Sequence, residues 1–215
     1  MKGGGFLAIW SDVEAGDETD YLHWLTREHT AERVGIKGFL ANRVFRALGT
    51  DVRRFFILYE LEGPEVVSGP DYLARLNSPT PWSQRIMPIL GNFVRGGGRH
   101  VISSGTGQGG VIAAIQLHDV PPDGAGLVAR LASLDRIAAV RLLETDQAKT
   151  SIKTRESSMR AQDRTFTGLL LIEGLDQPAV RAAVDQLALA MPAIGAADDV
   201  PLYGFCFGLD RRQLP

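Results

Sequence analysis

Arg54-Phe55-Phe56-Ile57-Leu58-Tyr59-Glu60-Leu61-Glu62-Gly63-Pro64 and, later in the chain, Arg164-Thr165-Phe166-Thr167-Gly168-Leu169-Leu170-Leu171-Ile172-Glu173-Gly174 share one plan. Each is an apolar strand closed by Glu-Gly and followed by a segment of helical pattern, and aligning the Glu-Gly pairs sets them 111 residues apart. Upstream, Gly38-Phe39-Leu40-Ala41-Asn42-Arg43-Val44-Phe45 parallels Arg136-Ile137-Ala138-Ala139-Val140-Arg141-Leu142-Leu143, 98 residues apart if Arg43 and Arg141 correspond. The difference of 13 residues calls for a longer loop in the second copy, and the polar stretch 146–163 supplies it. A repeat of this length marks two copies of one supersecondary unit.

Working outward, the first copy reads as a strand over Gly5 to Ser11 and a helix over Asp17 to Gly35, with Asp17 or Thr19 as its cap. Strands follow over Phe39 to Leu48 and Arg53 to Leu61, with Gly49-Thr50-Asp51 as a hairpin signature. A second helical region starts near Pro70 to Asn77, and Thr80-Pro81 supplies a cap and an N1 proline before a fourth strand near Gly98 to Ser104. The second copy has strands over Val111 to Leu117, Ile137 to Thr145, Phe166 to Glu173 and Leu202 to Leu209, and helices over Asp123 to Leu134 and Pro178 to Met191. Strand, helix, strand, strand, helix, strand, twice over, is the ferredoxin-like split βαβ unit. The expected class is α+β: two tandem ferredoxin-like βαββαβ units, 1–106 bearing the site and 107–215 mainly structural, whose apolar sheet faces meet as an α+β barrel within one chain.

Glycines cluster at Arg95-Gly96-Gly97-Gly98-Arg99 and at Gly105-Thr106-Gly107-Gln108-Gly109-Gly110, which reads as the boundary between copies. The second cluster is not a dinucleotide loop, because a strand rather than a helix follows it. Of 215 residues, 45% are hydrophobic and 22% charged, which excludes a disordered or collagen-like chain. A net charge of -2 leaves no basic excess to neutralise phosphates, so nucleic acid is not an expected partner. Apolar runs are strand-sized, so no signal peptide and no membrane span is read. One cysteine, Cys206, cannot form an internal disulfide and reads as a small packed side chain, and a reducing cytoplasm is the expected location.

The helix Tyr21-Leu22-His23-Trp24-Leu25-Thr26-Arg27-Glu28-His29-Thr30-Ala31-Glu32-Arg33, with Gly38-Phe39, Ala41, Arg43, Tyr59-Glu60 and Asn77-Ser78-Pro79-Thr80-Pro81-Trp82-Ser83, resembles the dimeric α+β barrel superfamily. The variety it resembles has two fused ferredoxin-like halves and is similar to EthD-like ether-degradation accessory proteins. The resemblance implies a ligand held between a sheet and its own helices. It does not imply one reaction: the superfamily includes polyketide cyclases, muconolactone isomerases, antibiotic-biosynthesis monooxygenases, haem-degrading enzymes and chlorite dismutases.

On an α-helical wheel Tyr21, Leu22, Leu25, His29 and Glu32 share one arc, while His23, Arg27 and Thr30 point away. His29 is then the candidate general base and Glu32 the group that fixes its tautomer, unless the pair is satisfied structurally. Arg43, expected on the same strand face as Phe39, Ala41 and Phe45, either binds an anionic oxygen or pairs with Glu32 or Glu60. Tyr59 is a candidate oxyanion donor, and Tyr21, Leu25 and Trp82 are candidate substrate contacts. His23 and His29 lie on different faces and make no metal pair.

The expected activity is proton transfer on an aromatic or polyketide-like carbonyl compound, as in an isomerase or cyclase, with no organic cofactor required. Cofactor-free oxygenation, a haem enzyme with His29 as axial ligand, and a non-catalytic binding or accessory protein remain open, as does a homodimer.

Overall fold

The computed structural model describes residues 2–49, 54–161 and 163–214. Its eight strands are β1 (Gly5–Asp12), β2 (Phe39–Ala47), β3 (Arg54–Leu61), β4 (Gly91–Gly105), β5 (Val111–Leu117), β6 (Ile137–Thr145), β7 (Gly168–Gly174) and β8 (Leu202–Asp210). They close into one antiparallel barrel in the order β1-β3-β2-β8-β5-β7-β6-β4. Within that ring β4-β1-β3-β2 and β8-β5-β7-β6 are two runs of the same ferredoxin-like order. The pairs β2–β8 and β4–β6 join the runs through backbone hydrogen bonds. The expected α+β barrel is thus present, and closure leaves neither run with a free edge.

Alternation along each strand sorts side chains to two faces. Phe6, Phe45, Phe56, Leu143, Phe166 and Tyr203 belong to the cluster that fills the barrel interior, where Trp10 meets Phe166 edge-on at 5.4 Å. Leu7, Ile57 and Tyr59 face outward into a second apolar layer under the helices of the first copy, and Leu142, Leu170 and Ile172 do the same in the second copy. The interior is filled by these side chains, which leaves the layer between the sheet and its helices as the place to look for an enclosed ligand space.

Several local expectations change. The long helix spans 18–34, but its middle, Leu25–His29, is a π turn between Glu18–Trp24 and Thr30–Val34. Asp17 occupies the N-cap position without a side-chain cap bond, and Thr19 lies inside the helix. Thr80 does cap its helix, accepting from the Ser83 amide at 3.0 Å. The Thr50-Asp51 part of the expected hairpin and Arg53 lie outside the described residues. The first glycine cluster lies within β4, which starts seven residues before the expected Gly98. A Cβ on Gly96 would sit 2.4 Å from the Phe166 ring, so glycine there lets the plug of the barrel approach the strand. Cys206 is an exposed free thiol and not a packed side chain, and Phe205 beside it is 50% exposed. Among the described residues no helix is long and apolar enough to cross a membrane.

Candidate functional site

A cavity lies between the outward face of β1, β3 and β4 and the first helix. Leu7, Ser11, Ile57 and Tyr59 form its floor, Tyr21, Trp24, His29 and Arg33 its roof, and Tyr72, Met87 and Phe93 its sides. The wall that remains comes from the second copy: Thr154, Glu156, Ser157 and Arg160, on the polar segment 146–163. The extra loop of the second copy therefore covers the cavity of the first. Measured as the space open to the centre of a water molecule, the cavity is about 40 Å³, room for about three waters.

The π turn decides which helical residues face this cavity. Its i→i+5 hydrogen bonding places residues five apart on one side, and Trp24 and His29 stack with ring centroids 4.0 Å apart. An uninterrupted α-helix would separate them by about 140°. Tyr21, Trp24, His29 and Arg33 consequently face the cavity, Leu25 and Thr30 are buried beside them, and Leu22 and Glu32 are only half-buried. The helix is pinned from outside by the Trp24 indole donating to the Ser83 hydroxyl at 3.1 Å and by Thr80 donating to Glu28 at 2.6 Å.

Of the residues expected at the site, His29, Tyr59 and Tyr21 meet in the cavity. His29 Nδ1 and the Tyr59 hydroxyl are buried with no hydrogen-bonding partner among the described residues, whereas Tyr21 shares a 3.2 Å hydrogen bond with Ser11. Burial, with Arg33 and Arg160 nearby, pulls the His29 pKa well below its usual value, so the ring is neutral at pH 7. Burial pushes the ionisation of Tyr59 upward, and its hydroxyl stays protonated.

Glu32, Arg43, Leu25 and Trp82 do not line the cavity. Glu32 turns to Arg33 at 2.9 Å and Arg75 at 3.1 Å, and its pKa is raised mainly by burial. Leu25 is wholly buried core beneath the helix. Trp82 donates to Asp20 at 3.0 Å and lies under the Arg85 guanidinium. Arg43 faces the barrel interior, because a bulge between Phe39 and Ala41 breaks the alternation that would have set it beside Phe39. There it binds Glu173 through two bonds of 2.6 and 3.1 Å, with Glu60 at 3.9 Å, and Arg141 joins the same Glu173. Arg43 and Arg141 occupy matching ladder positions, opposite Leu58 and Leu171. Glu60 and Glu173 likewise face Phe6 and Ile112. The carboxylates that correspond are therefore Glu60 and Glu173, two residues away from the Glu-Gly alignment. This is a structural ion cluster on the opposite side of the sheet from the cavity.

Reading along the chain missed the cavity's arginines. Arg33 pairs with Glu156 of the covering segment, and Arg95 donates to the Thr150 carbonyl at 2.8 Å and the Tyr72 hydroxyl at 3.3 Å. Arg160 donates to Asp163 at 2.7 Å and covers the Phe93 ring at 4.1 Å. A polar segment exactly where the repeat offsets disagree was the one signal that could have pointed to Glu156 and Arg160. Among the described residues no group of three His, Cys, Asp or Glu side chains could hold a metal ion.

No protein-family model matches the sequence, and comparison with curated proteins finds no match. Solved structures do resemble it. An anthrone oxidase-like protein superposes with a TM-score of 0.61 at 12% identity, covering 100% of this chain and 96% of the other. A protein provisionally named a chlorite dismutase gives 0.54 at 11% identity over 95% and 96% of the two chains. One provisionally named a monooxygenase, from Fusobacterium nucleatum subsp. nucleatum, gives 0.53 at 15% over 98% and 96%. At such identities the likeness concerns the fold, and it agrees with the strand order of the closed barrel. The chain has the fold of the dimeric α+β barrel superfamily, with both halves of the barrel in one polypeptide.

Proposed function

We propose that the cavity is the active site of a small-molecule enzyme that removes a proton next to a carbonyl of an aromatic or polyketide-like compound, as an isomerase or cyclase does. The observation that carries this reading is the pairing of an unpartnered His29 Nδ1 with an unpartnered Tyr59 hydroxyl in one buried, aromatic-walled space. Unmet buried polar groups cost about 1–3 kcal/mol each, a cost that a ligand supplying the missing partners removes.

In this reading neutral His29 accepts the proton, the C–H electron pair passes into an enolate, and Tyr59 donates a hydrogen bond to the developing oxyanion. Arg33 adds positive charge on the same side, held in place by Glu32 and Glu156. Return of the proton to another carbon completes an isomerisation. The names of two structural neighbours, an anthrone oxidase-like protein and a monooxygenase, support a second outcome in which molecular oxygen takes up the enolate's electrons.

Incubating the protein with anthrone and with an aromatic 1,3-diketone in D₂O, followed by NMR and an oxygen electrode, separates the outcomes. Catalysed deuterium exchange that His29→Gln reduces by about 100-fold or more is expected. Saturable binding with neither exchange nor oxygen uptake would make the protein a binder rather than a catalyst.

A further inference from the structure

The four buried arginines among the described residues are not treated alike. Arg33, Arg43 and Arg141 each hold a buried carboxylate, from Glu156 or Glu173. Arg95, 8% exposed, has no carboxylate within ion-pair distance among the described residues and is held only by a carbonyl, a phenol hydroxyl and the face of the Tyr72 ring at 5.7 Å. A guanidinium taken out of water without an anion carries a desolvation penalty of several kcal/mol that neutral acceptors repay only in part. Arg160 adds to the imbalance, since its Nε is buried without a partner and its one carboxylate, Asp163, is a third exposed. Three guanidiniums thus line the cavity, and Glu156 is the only carboxylate among its lining residues.

Arg95 also has a second face. Together with Thr154 and Ser157 it separates the cavity from an outer groove that carries Lys153, Arg164 and one carboxylate, Asp163, which is paired with Arg160. An approaching anion would meet these cations first and Arg95 next, so the field steers negative charge inward. Beyond Arg95 the cavity walls are the rings of Tyr72, Phe93 and Trp24.

We infer that the compound the cavity takes carries an anionic oxygen group, a carboxylate or an acidic phenolate, on an aromatic body, with Arg95 as its anchor and Arg160 as the second cation. This rests on the cavity's being the active site and adds the substrate's charge. The anion accepts from the guanidinium in a charge-assisted hydrogen bond, and the ring lies against the aromatic wall.

Matched pairs test it by calorimetry and by the fluorescence of Trp24: benzoate against benzamide, 1-naphthoate against 1-naphthamide, and 4-nitrophenol against 4-nitroanisole. The anion of at least one pair should bind about tenfold or more tightly than its neutral partner. A margin in the carboxylate pairs identifies a carboxylate ligand; one in the nitrophenol pair alone, growing as pH rises through that phenol's own ionisation, identifies a phenolate. Arg95→Gln should erase the margin. If that variant does not fold, Arg95→Lys and Arg160→Gln, checked by circular dichroism, should each shrink it. Equal affinity within every pair, no binding by any member, or a margin untouched in the folded variants overturns the inference. Deuterium exchange measured beside binding in the wild type keeps the outcomes separate: a charge margin without proton exchange sinks only the catalytic reading, and exchange without a margin sinks only this one.

Discussion

Tyr59 is fully buried, and its hydroxyl meets no hydrogen-bonding group among the described residues. Removing that hydroxyl therefore removes a liability. Tyr59→Phe should leave urea stability unchanged or raise it by about 1 kcal/mol, while turnover falls by about tenfold or more. A structural tyrosine would give the opposite pattern. His29 predicts a pH dependence. Its folded pKa lies well below 6.5, so the unfolded chain binds the proton more readily. Its contribution to stability is present above about pH 6.5 and is lost as the pH falls toward the folded value. Melting temperatures should drop between pH 7 and pH 5 more steeply in the wild type than in His29→Gln; equal slopes would place the imidazole in water. Tyr21 and Tyr59 lie on the faces that helix and strand periodicity assign them, whereas His29 ends the π turn and stacks on Trp24 because of it. Arg33 and Glu32 were exchanged because periodicity assumed an unbroken α-helix.

At the scale of elements, the π turn and the segment 146–163 shape the cavity. One turn of i→i+5 bonding rotates Arg33 inward and Glu32 to the flank, and no residue in Leu25–His29 announces it. The covering segment is tied down by the buried Arg33–Glu156 pair. Glu156→Ala leaves Arg33 with Glu32 alone and should destabilise the protein by about 3 kcal/mol, the low end of the range for breaking a buried pair. Amide exchange should speed up across 146–163 before it does in the strands. Unchanged exchange there would mean that the segment is held by its short helices and turns and not by the ion pair. The sequence showed that the second copy needed a longer loop, but a length difference carries no information about where the loop lies.

For the whole molecule, closure of the barrel brings Arg43, Arg141, Glu60 and Glu173 together across the two copies. Glu173→Ala leaves Arg141 without a carboxylate and Arg43 with Glu60 alone, and should cost about 3–5 kcal/mol, measured by denaturant unfolding. Ligand affinity in the cavity should persist at temperatures where the variant is folded, because the cluster lies on the other side of the sheet. Loss of affinity in the folded variant would connect the two. The order of elements, the α+β class and the barrel itself were readable from the chain, since a 2.0 or 3.6 residue hydrophobic period and a duplicated strand are local properties. Which side of the sheet Arg43 takes depended on a one-residue bulge, and the cavity's arginines come from three separate elements. Local periodicity determines what an element is and which face it buries. Only the closed tertiary structure decided which charges share a buried space, because burial and pairing act between residues that the sequence keeps far apart.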